Sequence, residues 1–228
     1  MDLLRDLNRK LNDHLTPAVK TIFLVNVFIF LALNILESIK PGFIYLFLTF
    51  FAQRPALSFF YMPPFLWTFL TYAFVHVDPW HVLFNMLALW FFGPPIENLW
   101  GTRYFWKFYL GTAIGAGFLN AVASVIGTFA GIPALGDVGQ SMIGASGAIN
   151  AIFFAFACYY PEVPVLVFGI FPMKAKVVMA LLIAFDIFFM RVPDGVSHTT
   201  HIAGLLIGYA MLVVRHHDPD VRTWRWRV

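Results

Sequence analysis

The sequence predicts an all-α membrane protein, a six-transmembrane-helix bundle with an interfacial first loop. Three observations carry this. Of 228 residues, 60% are hydrophobic and 12% charged, where a soluble domain carries about 25% charge. Six apolar runs of roughly the 20 residues needed to cross a bilayer core are separated by Gly, Pro or basic breaks. Threaded through a membrane, those runs leave 12 of the 15 basic residues on one side. A disordered chain, a coiled coil and an ordinary soluble enzyme are excluded by composition. An outer-membrane barrel is disfavoured because its strands alternate apolar and polar.

The runs follow in order. The first is Val19–Ser38, and the second is Trp80–Leu99, stopped by Gly101. The third is Tyr104–Ile126, ending in a Gly-rich stretch. The fourth is Ile143–Tyr160, stopped by Pro161. The fifth, Ala175–Val192, lies between Pro172 and Pro193. The sixth is Thr199–Val214, ended by Arg215-His216-His217. The stretch Phe43–Val75 is apolar and aromatic, but Arg54-Pro55 and Pro63-Pro64 interrupt it. A seventh span there would put the two basic tails on opposite sides. The positive-inside rule favours six spans with both termini cytoplasmic, and the aromatic stretch then lies in the outer interface.

The expected organisation is a cytoplasmic segment over residues 1–18, a membrane domain over 19–215 with its first loop at 39–79, and a basic cytoplasmic tail over 216–228. That tail, with Trp224 and Trp226 among arginines, reads as an anchor at the inner surface, suited to anionic lipid. No short apolar run with a small-residue cleavage site follows the N-terminus, so no removable signal peptide is expected. A net charge of +3 without a basic block points away from nucleic acid. The lone Cys158 excludes an internal disulfide framework or a cysteine metal cluster. No cofactor is expected, and a monomer is the default.

With this threading, spans two, four and six share the outer face at their N-terminal ends. Polar residues gather at those ends. Span two opens with His76, His81 and Asn85, span four with Gly144-Ala145-Ser146-Gly147, and span six with Ser197-His198-Thr199-Thr200-His201. His81 and Asn85 are four apart and lie on one helical face. Ionisable groups inside spans are costly and functional by default. A serine hydroxyl becomes a nucleophile when a base takes its proton, and histidine is the usual base. Ser146 as nucleophile, His201 as base, and His81, Asn85 and the Ser146 backbone N–H as donors to an oxyanion make a complete acyl-transfer site. Gly204 and Gly208 on span six, with Gly147, Ala151 and Ala155 on span four, are small faces that would let the two helices approach. Gly111 and Gly115 on span three read as packing positions.

The run His81-Val82-Leu83-Phe84-Asn85, then Gly93, Glu97 and Gly101, then Gly144-Ala145-Ser146-Gly147, then His201-Ile202-Ala203-Gly204 with Gly208 closely resembles the rhomboid family of intramembrane serine proteases. The resemblance covers roughly residues 60–215 and is closest to the six-span bacterial type. It implies a Ser146–His201 dyad, with an oxyanion held by His81, Asn85 and the Ser146 N–H. It implies a serine below the outer surface in a water-filled cavity. It implies transmembrane protein substrates, with helix-destabilising residues near the outer end of their span. The family often carries a tyrosine one turn after the serine, where this chain has Asn150, and small residues before the histidine, where it has Thr199 and Thr200. A prokaryotic inner membrane is the expected location.

Other residues take lesser roles. His76, Gly144 and Asn150 are candidates for cavity or substrate contact, with His76 and His198 otherwise interfacial. Glu97 and Arg103 are structural. Asp186, inside span five, is read as an interhelical bonding group or protonated carboxyl in preference to a third triad member. Two alternatives compete with the protease: a catalytically silent rhomboid-like binding factor, and a metal transporter using His76, Asp78, His81, His198 and His201. A soluble-type lipase fails because Ala148 breaks G-x-S-x-G.

Overall fold

The computed structural model describes residues 14–54, 65–136, 139, 141–167, 169–190, 192 and 195–216. Most of the N-terminal segment, part of the first loop with Pro63-Pro64, Arg191, and the tail from residue 217 lie outside the described residues.

The chain is an all-α membrane bundle. Its six longer helices fall on the six apolar runs: α1 Pro17–Ile39, α4 Pro79–Trp100, α5 Thr102–Ala130, α6 Ser146–Tyr159, α7 Ala175–Phe189 and α8 His198–His216. Proline opens α1 and α4, where its missing N–H costs nothing. The Asp78 carboxylate caps α4 by accepting from the His81 amide. Gly101 separates α4 from α5 at φ 79°, and Gly131 ends α5 at φ 68°, conformations in which a Cβ is penalised. Two of these helices, Pro17–Ile39 and Thr102–Ala130, are long and apolar enough by length and composition to cross a membrane.

The first loop is more ordered than a plain connection. It contains α2 Phe43–Phe51 and a short helix α3 Thr68–Thr71, which continues as a 3-10 turn at Tyr72–Phe74. Glu37, near the end of α1, accepts from the amides of Gly42 and Ile44 and so starts α2. Trp67 Nε1 and Thr71 Oγ1 donate to the carbonyls of Phe50 and Phe51, folding the loop on itself. A two-stranded antiparallel hairpin, β1 Pro164–Val167 with β2 Phe171–Lys174, precedes α7. It is not legible in the sequence, because Pro164 and Pro172, one in each strand, hide the alternation.

Helix α6 is the centre of the bundle, packed by α4, α5, α7 and α8. Small residues make the packing close. A methyl group at Gly204 of α8 would lie 2.1 Å from the Gly147 carbonyl oxygen, and one at Gly208 would lie 2.8 Å from Ala151 Cβ. Gly115 and Gly111 of α5 serve α8 in the same way, facing Ile207 and Met211. The outer surface is apolar: Phe28, Phe91 and Phe188 are 71%, 64% and 78% exposed. That arrangement, small residues inside and large apolar residues outside, suits hydrocarbon and not water.

Glu97 is 2% exposed. Its carboxylate accepts from the Ala18 and Val19 amides and the Thr16 and Thr102 hydroxyls. It thereby supplies the cap that Thr16 does not give α1 and ties α1 to the α4–α5 corner. The structural reading of Glu97 therefore has a specific cause: a carboxylate satisfying orphan N–H groups at a helix N-terminus.

Candidate active site

Three segments converge on Ser146. The first is the loop before α6. It begins at Met142, which exchanges both backbone hydrogen bonds with Gln53 of the first loop. The Gly144 amide donates to the Tyr72 carbonyl at 2.9 Å, and the Ala145 amide donates to His76 Nε2 at 3.3 Å. Gly144 sits at φ +109°, so α6 cannot begin at Ile143 as the hydropathy suggests; it begins at Ser146. Ser146 is then the first residue of a helix whose leading N–H groups have no intrahelical acceptor.

The second segment is the first turn of α8. Its Thr200 and His201 amides both donate to the Ser197 carbonyl. Thr200 is buried and its hydroxyl bonds Met142 Sδ, tying α8 to the loop ahead of the serine. The Gly204–Gly147 contact lies one turn further along. With the two helices held this close, His201 Nε2 stands 2.9 Å from Ser146 Oγ. The threonines that replace small residues before the histidine thus leave the pair within hydrogen-bond reach.

The opposite imidazole nitrogen, His201 Nδ1, is 2.9 Å from Asp186 Oδ1 of α7. His198 Nδ1 is 2.7 Å from the same oxygen. Asp186 does make an interhelical bond, and one partner is His201, the histidine that faces Ser146. His198 is 3% exposed, so it is not an interfacial residue. The sequence carried two faint signals for this cluster. His198 and His201 are three apart and share a helical face, and Asp186 is the single carboxylate in an otherwise apolar run. Asp186, His198 and His201 also form a group of ligand atoms within 4.8 Å of one another. Each histidine is at hydrogen-bond distance from Asp186, and His201 is further engaged by the serine.

The third segment is the first turn of α4. The His81 ring lies where a side chain on Gly144 would be: a Cβ there would meet His81 Nε2 and Cε1 at 2.5 Å. Gly144 is therefore required twice, for its backbone angle and for the ring beside it. It is a shaping residue of the loop. Asn85 is 7% exposed and donates through Nδ2 to the His81 carbonyl at 2.8 Å; an amide nitrogen has two hydrogens, so one remains. His76 is fully buried. Its ring meets that of His81 edge-on at 4.8 Å. It supports the loop through Ala145 from inside the fold, not from the interface as the sequence suggested. Burial, and next the neighbouring His81, push the His76 imidazole down to about 3. It is a neutral acceptor. Asn150 follows Ser146 by one turn of α6 and is half-buried.

A cavity of about 600 Å³ borders this cluster. Asn120, Ser124, Met142, Ser197 and His198 are among its lining residues; Ser146 and His201 are not. The hydrogen-bonded cluster of Ser146, His201 and Asp186 therefore lies beside this cavity and not on its lining.

The Rhomboid domain family matches residues 63–218, a stretch that contains every residue of this cluster. The chain belongs to the rhomboid family. Among similar proteins, the mitochondrial RHOMBOID-like protein 12 of Arabidopsis thaliana is 29% identical over 153 residues, 61% of this chain and 44% of its own length. The mitochondrial Rhomboid protein 1 of Saccharomyces cerevisiae is 34% identical over 110 residues, 48% of this chain and 30% of its own. The Rhomboid protease GlpG of Salmonella choleraesuis is 28% identical over 161 residues, 69% of this chain and 51% of its own. The chain thus spans about half or less of the length of these relatives. As a rhomboid it is an integral membrane protein of a family that includes intramembrane proteases.

Proposed function

We propose that this rhomboid is an active intramembrane serine endopeptidase that cuts transmembrane proteins near the outer membrane face. The observation that carries the reading is the 2.9 Å contact between Ser146 Oγ and His201 Nε2 at the N-terminus of α6. Ser146 attacks a substrate carbonyl while His201 takes the hydroxyl proton. The oxyanion falls to the Ser146 N–H, with His81 and the free Asn85 hydrogen alongside. His201 next protonates the leaving amine and then activates the water that releases the acyl group.

Helix length supports placing the serine inside the membrane. The 14 residues of α6 rise about 21 Å, short of the ~30 Å hydrocarbon core. If its C-terminal end reaches one face, Ser146 lies well below the other. Substrate must then enter unwound, since helical carbonyls are already bonded. Six spans, cytoplasmic termini and a prokaryotic inner membrane complete the reading, supported by the distribution of basic residues; a monomer suffices for the site, since Ser146 and His201 come from one chain.

The test is Ser146→Ala in purified protein. Cleavage of a model transmembrane substrate and labelling by a fluorophosphonate probe should both disappear. Persistent cleavage by the variant would refute the assignment.

A further inference from the structure

Helix α7 is the least buried of the longer helices. Ala175, Met179 and Asp186 are its buried residues, and Asp186 is the one polar group among them. A carboxylate in an apolar interior is costly unless hydrogen bonds satisfy it. Asp186 is 4% exposed and has two hydrogen-bond contacts from one neighbouring helix, His198 Nδ1 at 2.7 Å and His201 Nδ1 at 2.9 Å, both on Oδ1. Both histidines stand in the first turn of α8, the end of a helix that favours negative charge. Asp186 is thus held between two imidazole nitrogens at a helix N-terminus, against the histidine that faces Ser146.

We infer that Asp186 is a positioning residue for His201, held in turn by His198. This rests on the protease reading of the same site. An ionised carboxylate oxygen accepts and never donates. With Asp186 as the acceptor in this assignment, the proton of His201 sits on Nδ1, and Nε2 keeps the lone pair that faces the serine hydroxyl. During attack the hydroxyl proton passes to Nε2, the O–H electron pair forms the new bond to the substrate carbon, and the carbonyl π pair moves to oxygen. His201 is then a cation with Nδ1–H already donating to Asp186. The carboxylate stays ionised and stabilises that cation. His198, one turn earlier, fixes Oδ1 so that the carboxylate cannot swing away. The site works as Ser146–His201–Asp186 with His198 as a tether.

The experiment compares wild type, Asp186→Asn, Asp186→Glu and Ser146→Ala, each purified full length and checked for folding by thermal unfolding. Asp186→Asn should lower kcat about 10²- to 10⁴-fold, the range of a lost orienting carboxylate, with KM within about twofold because substrate contacts are untouched. Asp186→Glu should recover part of kcat. Fluorophosphonate labelling at Ser146 should slow in parallel. If wild type cleaves through Ser146 and folded Asp186→Asn keeps kcat within about threefold, the positioning role is overturned while the protease reading stands. If wild type neither cleaves nor labels at Ser146, both fall. Should Asp186→Asn fail to fold, ¹⁵N NMR of histidine-labelled wild type decides. A protonated Nδ1 on His201 supports the assignment, and a protonated Nε2 at neutral pH overturns it.

Discussion

Placing one methyl group at Gly204 should inactivate this rhomboid without touching its chemistry. The Cβ of Gly204→Ala would lie 2.1 Å from the Gly147 carbonyl oxygen, 2.7 Å from its carbon and 3.1 Å from its Cα. All three are backbone atoms of the central helix, so no side chain can yield. A tolerable C···O contact is about 3.3 Å, so α8 must retreat by about 1 Å or more. His201 precedes Gly204 by three residues, about 4.5 Å along the helix, and moves with it. The 2.9 Å Ser146–His201 bond then opens toward about 4 Å, outside hydrogen-bond range. Overpacking of this kind costs about 1–3 kcal/mol, and a 1 Å misplacement costs roughly 10²-fold in rate. The assay is initial cleavage rate and fluorophosphonate labelling in one detergent, with thermal unfolding alongside. Two further variants grade the effect. Gly208→Ala meets the stiff Ala151 Cβ at 2.8 Å, and Gly111→Ala meets only the flexible tip of Met211 at 3.1 Å. The expected order of activity is Gly111→Ala near wild type, Gly208→Ala lower, Gly204→Ala lowest. Gly204→Ala with wild-type rate and stability would refute the argument that backbone contact sets the dyad distance.

The remaining predictions concern the supports of the site. Glu97→Ala leaves two amides and two hydroxyls without their acceptor. It should destabilise by about 2–4 kcal/mol at unfolding, with Glu97→Gln losing less; equal melting temperatures for both variants and wild type would contradict the capping role. His76 should make the protein acid-sensitive. Its folded value is depressed to about 3 from 6.5, so below 6.5 the unfolded chain binds the extra proton. Stability is full above about 6.5 and falls as pH drops toward 3. A His76→Gln variant, which keeps an acceptor for the Ala145 amide, should lose less stability between pH 6.5 and 4 than wild type, measured by denaturation in detergent. An identical loss in both would place the acid sensitivity elsewhere.

Much of this protein is legible in its sequence, and the reasons are specific. Six apolar runs had to become helices, because in hydrocarbon each backbone N–H and C=O must be satisfied within its own segment. The stop at Gly101 followed from a local rule, since glycine takes the positive φ found there. The helix-spaced glycines of α5 and α8 announced close packing, and the facing helices bear that out at Gly147 and Ala151. Ser146, His201, His81 and Asn85 could be picked out because polar groups are rare in such runs.

Other features needed three dimensions. That α6 starts at Ser146 depends on Gly144 fitting beside His81 and on the carbonyl of Tyr72, more than 70 residues earlier. The burial of His76 follows from the fold of the first loop, which hydropathy reads only as interfacial. Glu97 had a structural role in the sequence but no partner; three of its four partners, Thr16, Ala18 and Val19, lie 78 to 81 residues away. Asp186 is the sharpest case. Its sequence position gives an expensive carboxylate in an apolar span, equally consistent with several fates. Only the packing of α7 on α8 presents it to Nδ1 of both His198 and His201. Sequence fixes which groups must be paid for within a membrane, because solvation there is local. Which partner satisfies a buried charge depends on distances between helices, and those are set by side-chain packing across the whole bundle.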